Sequence, residues 1–203
     1  MAERPERGEA AVREAYCRAL TALLTEREVG FHDVTATELS HEAGLSRRTF
    51  YRYFDKVEDV LDELARRTAR TYAADLSGYL EEQGGPISFR QHMVLTFSFM
   101  DERRALLGAL KRDDLLERFL TALWGTYEQD WLPASVSLDG RQRQRLARMS
   151  TAAISAAIVD WVDDETAPAP EQMGPIMEEL VANMPLLSEL RLQNPAPERF
   201  LVE

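Results

Sequence analysis

The sequence is poor in the residues that redox, metal and hydrolytic sites require. Its 203 residues include one cysteine and three histidines, His32, His41 and His92. A single cysteine excludes an intramolecular disulfide, and no histidine stands at a metal-ligand or nucleophile–base spacing from a partner. We expect Cys17 to be a small buried residue of the first helix rather than a redox sensor. The composition therefore predicts a protein that is not an enzyme and needs no cofactor or metal.

Long hydrophobic runs and phosphate-binding glycine motifs are also missing. The sequence contains no stretch of 18 uncharged apolar residues, and its start, MAERPERGEA, lacks the apolar core of a signal peptide. Neither a P-loop nor a Gly-x-Gly-x-x-Gly sequence occurs. These absences predict a cytoplasmic protein with no membrane partner.

Positive charge is scarce overall, and lysine is scarcer still. The chain carries 24 basic and 35 acidic residues, a formal net charge of −11, and two of the basic residues are lysine. Residues 1–56 hold 9 of the basic and 10 of the acidic residues, so the acidic excess falls on residues 57–203. Such an excess keeps a protein soluble and discourages non-specific binding to DNA. A nucleic-acid site is therefore expected in the nearly neutral residues 1–56.

The sequence does contain a short segment with two marked helix starts. Thr35 and Glu38 stand at the spacing of a capping box, in which each side chain accepts a hydrogen bond from the other residue's backbone N–H. Gly44 suits the sharp reversal that ends this helix, because glycine tolerates a positive φ. Ser46 is then placed to cap a second helix. Two short helices joined by a glycine turn predict a helix-turn-helix, whose second helix lies in the major groove of DNA.

The second helix of this segment divides into two chemically different faces. Phe50 and Phe54 are four residues apart and are expected to pack inward. The opposite side carries three arginines and a tyrosine, Arg47, Arg48, Tyr51 and Arg52. Guanidinium groups bind guanine or phosphate through two parallel hydrogen bonds, and hydroxyls donate to phosphate. The alternative is a solvated helix with an aromatic core contact, but capping, turn and charge all favour DNA binding.

The stretch GFHDVTATELSHEAGLSRRTFYRYF resembles the N-terminal domain of the TetR family of bacterial transcriptional regulators, with T, A-G-L-S, T-F-Y and Y-F in the family's order. The resemblance implies that Thr35 and Thr49 contact phosphate, that Arg47 and Arg48 face base edges, and that Tyr51 and Tyr53 brace the DNA backbone. The full set expected at the DNA is Thr35, Ser46, Arg47, Arg48, Thr49, Tyr51, Arg52, Tyr53 and Lys56.

One position departs from the family pattern. The family usually places a lysine three residues after the phenylalanine Phe54, where this chain has Val57. Lys56 stands just before that position, and we expect it to supply the phosphate contact from a slightly different angle.

The whole chain has a helical pattern, and no strand is predicted. Apolar residues recur at spacings of three and four, and Gly84, Gly85 and the prolines interrupt them. An all-α fold follows, with a three-helix DNA-binding head at 1–56 and a larger ligand-binding and dimerisation body at 57–203. We expect about nine helices, over 8–28, from Thr35, from Ser46, and over 57–82, 87–101, 105–111, 114–132, 139–164 and 171–190.

Two sets of body residues are candidates for further sites. Large apolar side chains on consecutive helices are expected to line an effector cavity, although an ordinary core has the same pattern. This set is Phe89, Met93, Phe97, Met100, Trp124, Tyr127 and Trp131. Stripes on the last two helices are expected to form a homodimer interface, as in the family, while also serving the body's core. These residues are Met149, Ala153, Ala157, Trp161, Ile176, Leu180, Met184 and Leu187.

These features together predict a ligand-responsive transcriptional repressor. A homodimer would bind a pseudo-palindromic double-stranded DNA operator, and an unidentified small-molecule inducer would release it. Three alternatives remain open. The protein is otherwise an activator of the same family, a small-molecule-binding or catalytic helical bundle, or a protein-interaction module that uses its acidic body.

Overall fold

The structure is a computed structural model that describes residues 4–125 and 139–183. Within those residues it contains nine α-helices and no strand, which confirms the predicted all-α fold. The helices are α1 (Arg4–Thr25), α2 (Ala36–Glu42), α3 (Arg47–Tyr53), α4 (Val57–Gln83), α5 (Phe89–Asp101), α6 (Arg104–Arg112), α7 (Leu116–Gly125), α8 (Gly140–Val162) and α9 (Pro170–Asn183).

The first three helices form the head, and α1 covers the other two. The face of α1 that carries Tyr16, Leu20 and Leu24 is fully buried. It packs on α2, on the start of α4 and on α6 of the body. Because these three residues are four apart, they lie in one stripe of the helix, as the sequence predicts. The head and the body therefore share one continuous core.

Helix α4 belongs to both parts of the molecule. Its first turns bury Val60 and Leu61 in the head, and its middle buries Thr68 and Tyr72 against the body. Gly84 ends the helix in the left-handed conformation, with a φ of +71°, which glycine adopts without strain. The predicted division of the chain after residue 56 falls at the start of α4, and it stays a prediction, because α4 contributes to the core of both parts.

The body is held together by two close contacts between helices distant in sequence. Helix α9 lies on α5, and a Cβ atom at Gly174 would come within 2.6 Å of the carbonyl oxygen of Arg90. Helix α6 instead caps the C-terminus of α8. Lys111 donates to the carbonyl of Val159 at 2.6 Å, and Arg104 donates to that of Trp161 at 2.7 Å. Two cations at the carbonyl end of a helix are favourable for its dipole.

The ends of several elements differ from the sequence prediction. Helix α1 spans Arg4–Thr25 rather than 8–28, because Glu28 takes a left-handed φ of +50° after the last turn. A short 3-10 helix at Phe31–Asp33 was not predicted, since three residues are too few to show a period. The expected ends of the helices over 114–132 and 171–190 lie outside the described residues.

A side chain of the body holds the loop between α1 and α2 through a hydrogen bond to the loop's backbone. Asp113, at the end of α6, accepts a hydrogen bond from the backbone N–H of Phe31 at 2.7 Å. The residue that follows, Asp114, has a left-handed φ of +57°, which costs a non-glycine residue some strain. The tight turn places the Asp113 carboxylate against the head.

Replacing Asp113 with asparagine should lower the free energy of unfolding by about 1 kcal/mol, because a neutral acceptor replaces a charged one. Urea denaturation measures the change, and faster hydrogen exchange at the amide of Phe31 should accompany it. Asp114→Asn is the matched control, since it removes the same charge one residue away and asparagine tolerates positive φ. Equal effects of the two variants would contradict this role for Asp113.

Candidate nucleic-acid interface

The capping box at the start of α2 forms as predicted. The hydroxyl oxygen of Thr35 accepts from the N–H of Glu38 at 3.2 Å, and the carboxylate of Glu38 accepts from the N–H of Thr35 at 2.9 Å. The Thr35 hydroxyl also donates to that carboxylate at 2.8 Å. The hydrogen bond that the Thr35 hydroxyl donates lowers the pKa of Glu38 most, and the bond from the Thr35 N–H lowers it further. A phosphate contact from the Thr35 hydroxyl would have to replace its bond to Glu38.

The turn and the start of α3 are fixed by short-range hydrogen bonds. Gly44 has a φ of +66°, the positive value that the sequence predicts for the reversal. Ser46 caps α3, because its hydroxyl oxygen accepts from the N–H of Thr49 at 3.1 Å. The hydroxyls of these two residues also lie 2.9 Å apart in a hydrogen bond. The two hydroxyls expected to meet phosphate thus lie together at the N-terminus of α3.

An aromatic cluster beneath α3 sets the position of this helix. The ring of Tyr16 meets Phe50 and Phe54 edge-on, with centroids 5.4 Å and 5.7 Å away. The Tyr16 hydroxyl donates to the carbonyl of Ser46 at 3.2 Å. Burial raises the pKa of Tyr16, so the phenol remains a neutral donor. The prediction that both phenylalanines face inward is confirmed.

The opposite face of α3 is exposed and positively charged. Arg47, Arg48 and Arg52 are all exposed, and Tyr51 between them is 54% exposed. Within the described part of the chain, none of the three arginines forms an ion pair with a carboxylate. The guanidinium of Arg47 instead lies 5.9 Å from the centre of the Tyr51 ring. Guanidinium edges on this face therefore remain available for acceptors such as phosphate and guanine.

Several arginines elsewhere in the described chain are paired with acids. Arg27 contacts Glu42 at 2.6 Å, and Arg118 contacts Asp62 at 3.0 Å. Comparable pairs link Arg67 to Glu14 and Arg70 to Glu63. The positive face of α3 therefore combines three arginines with an absence of ion-pairing carboxylates in the described chain.

The start of α4 explains the departure from the family's lysine pattern. Val57 is half-buried and packs on the core, so this position is filled by an apolar contact. The carboxylate of Asp59 accepts from the N–H groups of Asp55 and Lys56, each at 3.0 Å. The Lys56 side chain is exposed beside this carboxylate. Its contact with phosphate stays a prediction.

The predicted effector residues lie in the core of the body. Met93, Phe97 and Met100 on α5 are fully buried, and Phe89 is half-buried. None of these four lines the cleft between α7 and α8, whereas Trp124 does. Tyr127 and Trp131 lie outside the described residues. Sequence periodicity found the buried face of α5 but gave no signal for a cleft between two other helices.

The predicted dimer residues divide between surface and core. Met149 on α8 is 71% exposed and Leu180 on α9 is 57% exposed. Ala153 and Ile176 are also exposed, and Ala157 is half-buried. Met184 and Leu187 lie outside the described residues.

Trp161 does not belong to this exposed surface, and its assignment as an interface residue is corrected. It is 3% exposed, its ring contacts Phe97 edge-on at 5.3 Å, and its indole N–H donates to the carbonyl of Pro168 at 2.8 Å. The guanidinium of Arg104 covers its other side at 4.1 Å. Trp161 therefore serves the core of its own chain.

This arrangement of a capped helix, a glycine turn and a second helix with an unpaired basic face defines a helix-turn-helix protein of the DNA-binding class. Residues 20–64 match the family described as "Bacterial regulatory proteins, tetR family". The part of the chain that contains α2 and α3 is therefore similar to this family of transcriptional regulators.

Comparisons over most of the chain find further similar proteins. An uncharacterised HTH-type transcriptional regulator of Bacillus subtilis (strain 168), YxbF, is 26% identical over 188 residues, which are 88% of this chain. The match spans 46% of that relative, so the chain covers about half its length. Two solved structures share the fold.

The first structure is the dihydroxyacetone kinase operon activator DhaS, with 17% identity and a TM-score of 0.56 over 86% of this chain and 97% of that one. The second is the TetR family repressor AlkX of Dietzia sp. Strain DQ12-45-1b, with 19% identity and a TM-score of 0.52 over 88% and 96%. At this identity the two structures show a common fold and nothing further.

Neither a membrane-spanning helix nor a metal-binding cluster is found among the described residues. No helix there combines the length and the apolarity that crossing a membrane requires. The same residues hold no group of three or more histidine, cysteine or acidic side chains arranged around a metal position.

Cys17 is buried at 3% exposure against α4, as predicted. Burial, with the nearby Glu63 carboxylate, raises the pKa of this thiol to about 12. Since the thiolate is the reactive form, native protein at pH 8 should not react with iodoacetamide, whereas urea-unfolded protein should react fully. Mass spectrometry of the two samples checks this. Rapid native labelling, at a rate similar to that of the unfolded chain, would contradict the burial.

Proposed function

We propose that the protein is a ligand-responsive repressor that binds a pseudo-palindromic DNA operator as a homodimer and leaves it when an inducer binds the body. The observation that carries this proposal is the exposed face of α3, where Arg47, Arg48 and Arg52 have no acidic partner in the described chain. This face lies on a short capped helix that a buried aromatic cluster holds in place. The protein is then a non-enzymatic regulator.

The residues of α3 divide into two roles on DNA. Ser46, Thr49 and the tyrosines position the helix by contacts with phosphate, which carry no sequence information. Arg47 and Arg48, in the first turn, reach base edges, because the N-terminal part of a recognition helix contacts bases in the major groove. Bidentate bonds from guanidinium to guanine O6 and N7 would give base preference.

Replacing Arg48 with alanine should weaken binding by about 1–3 kcal/mol and relax the preference at one base position. The target is first selected from a random double-stranded DNA pool with the wild-type protein, and affinities are then measured at one fixed salt concentration. Arg18→Ala is the matched control, because Arg18 is 74% exposed on α1 and its loss changes the net charge equally. Unchanged affinity and base preference in Arg48→Ala would remove Arg48 from base reading.

A homodimer would use the exposed apolar faces of α8 and α9. Met149 and Ala153 lie four residues apart on α8, as do Ile176 and Leu180 on α9. This spacing places each pair on one side of its helix, and all four are exposed in the single chain. A two-fold axis through such a surface would present two α3 helices to half-sites one or more helical turns apart.

Replacing Leu180 with aspartate should convert dimers to monomers, because each two-fold interface would then bury two unpaired carboxylates. Light scattering after size-exclusion chromatography measures the mass. Ala74→Asp adds the same charge at an exposed position of α4 and should leave the dimer intact. A persistent Leu180→Asp dimer would place the interface elsewhere.

The body offers a physical connection from a bound inducer to the head. Helix α7 is joined to α4 by an ion pair, in which Nη2 of Arg118 lies 3.1 Å from Oδ1 and 3.0 Å from Oδ2 of Asp62. Further along, the Trp124 ring meets Tyr72 of α4 edge-on at 5.7 Å. A ligand that favours one position of α7 would therefore bias α4 and the spacing of the two heads.

The fold is compatible with either sign of regulation. One structure with this fold is described as an operon activator and another as a repressor, so the fold permits both. Repression is preferred here because DNA occupancy by two heads suffices for it, whereas activation also needs a contact with polymerase. A reporter placed behind the selected site distinguishes the two outcomes.

A further inference from the structure

An open cleft of about 500 Å³ lies between α7 and α8. This volume falls within the range of about 300–1,000 Å³ typical of small-molecule sites. Residues from both helices line it, among them Thr121 and Trp124 on one side and Ser155 and Val159 on the other. The cleft is separate from the buried residues of α5, which serve the core.

One buried donor in the wall of this cleft has no partner among the described residues. Trp124 is 6% exposed, and within the described chain its indole N–H finds no hydrogen-bond acceptor. The other described tryptophan, Trp161, donates to the carbonyl of Pro168 at 2.8 Å. A buried N–H without an acceptor is unfavourable, and buried polar groups nearly always have one. A ligand in the cleft would supply the missing acceptor.

The rest of the lining indicates what kind of ligand this is. Glu117 and Arg148 contribute one charge of each sign, so the cleft selects neither an anion nor a cation. The hydroxyl of Thr151 already donates to the carbonyl of Arg148 at 3.1 Å. The α8 side presents Ala156 and Val159, which are small and apolar. This combination of residues suits a compact, uncharged small molecule that carries one oxygen acceptor.

We propose that the cleft between α7 and α8 binds an uncharged small molecule whose carbonyl oxygen accepts a hydrogen bond from the indole N–H of Trp124. This assignment rests on the proposed function, because it identifies the cleft as the inducer site. Trp124 also contacts Tyr72 of α4, so an occupant that repositions its ring would act directly on the helix that reaches the head.

The test follows the indole N–H signals of the ¹⁵N-labelled 203-residue protein while probes of matched shape are added. The probes are 1-tetralone, which has a carbonyl acceptor, tetralin, which has the same rings without it, and 1-naphthoate, which is anionic. 1-Tetralone should shift the Trp124 signal saturably and bind about 10-fold more tightly than tetralin, the difference typical of one hydrogen bond.

Two variants distinguish the contribution of the Trp124 N–H donor from that of the volume of the cleft. Trp124→Phe keeps an aromatic ring and removes the N–H, so the preference for 1-tetralone over tetralin should disappear. Ala156→Leu fills the cleft and should weaken both probes at least 10-fold, with affinities read from the Trp124 signal. Ala74→Leu makes the same change at an exposed position of α4 and should leave binding unchanged. Circular dichroism confirms that each variant is folded.

Several results would overturn the proposal. These are a Trp124 signal that none of the probes moves up to millimolar concentration, equal affinities for 1-tetralone and tetralin, tighter binding of 1-naphthoate, or undiminished binding in Ala156→Leu. Binding to the selected DNA is measured on the same samples. DNA binding without ketone binding would overturn the cleft assignment alone, whereas ketone binding without DNA binding would overturn the proposed regulator and support the cleft.

Discussion

The packing of Tyr16 against Phe50 and Phe54 is the interaction on which the DNA-binding surface depends. It joins the longest helix of the head to α3 through two edge-on ring contacts, and the Tyr16 hydroxyl fixes the first turn of α3 through the carbonyl of Ser46. A helix of seven residues would not be stable in water by itself. Its orientation therefore comes from the buried side, and the exposed side is left to carry charge without contributing to stability.

Helix α4 extends this dependence to the body. It buries Val60 and Leu61 beneath the head and Tyr72 within the body, so neither part can move without displacing the other end of one continuous helix. The hydrogen bond from the N–H of Phe31 to Asp113 adds a second link, which approaches the head from α6. The head and the body are thus connected at two different points. In the proposed dimer, a change near α7 would reach the head through these connections.

Local signals in the sequence predicted the head well, and non-local packing limited the prediction of the body. The capping residues Thr35 and Ser46 and the glycine turn act within a few residues, so their pattern is visible in the chain itself. Trp161 lies on an apolar stripe that resembles an interface, but Phe97 and Arg104 from other helices cover it. Periodicity gives the side of a helix that is buried and not the partner that buries it. The cleft beside Trp124 was missed for the same reason, since it exists only between two helices.

The acidic composition is compatible with DNA binding because the arginines that pair with carboxylates lie outside α3. Pairs such as Arg118 with Asp62 and Arg70 with Glu63 cancel charge within the body and along α4. On α3 no such cancellation occurs in the described chain, although the protein as a whole carries −11. At physiological ionic strength the field of an exposed charge decays over about 8 Å, so DNA at α3 is largely screened from the distant acids. The excess acid of residues 57–203 then weakens the attraction of DNA to the acidic surfaces of the body.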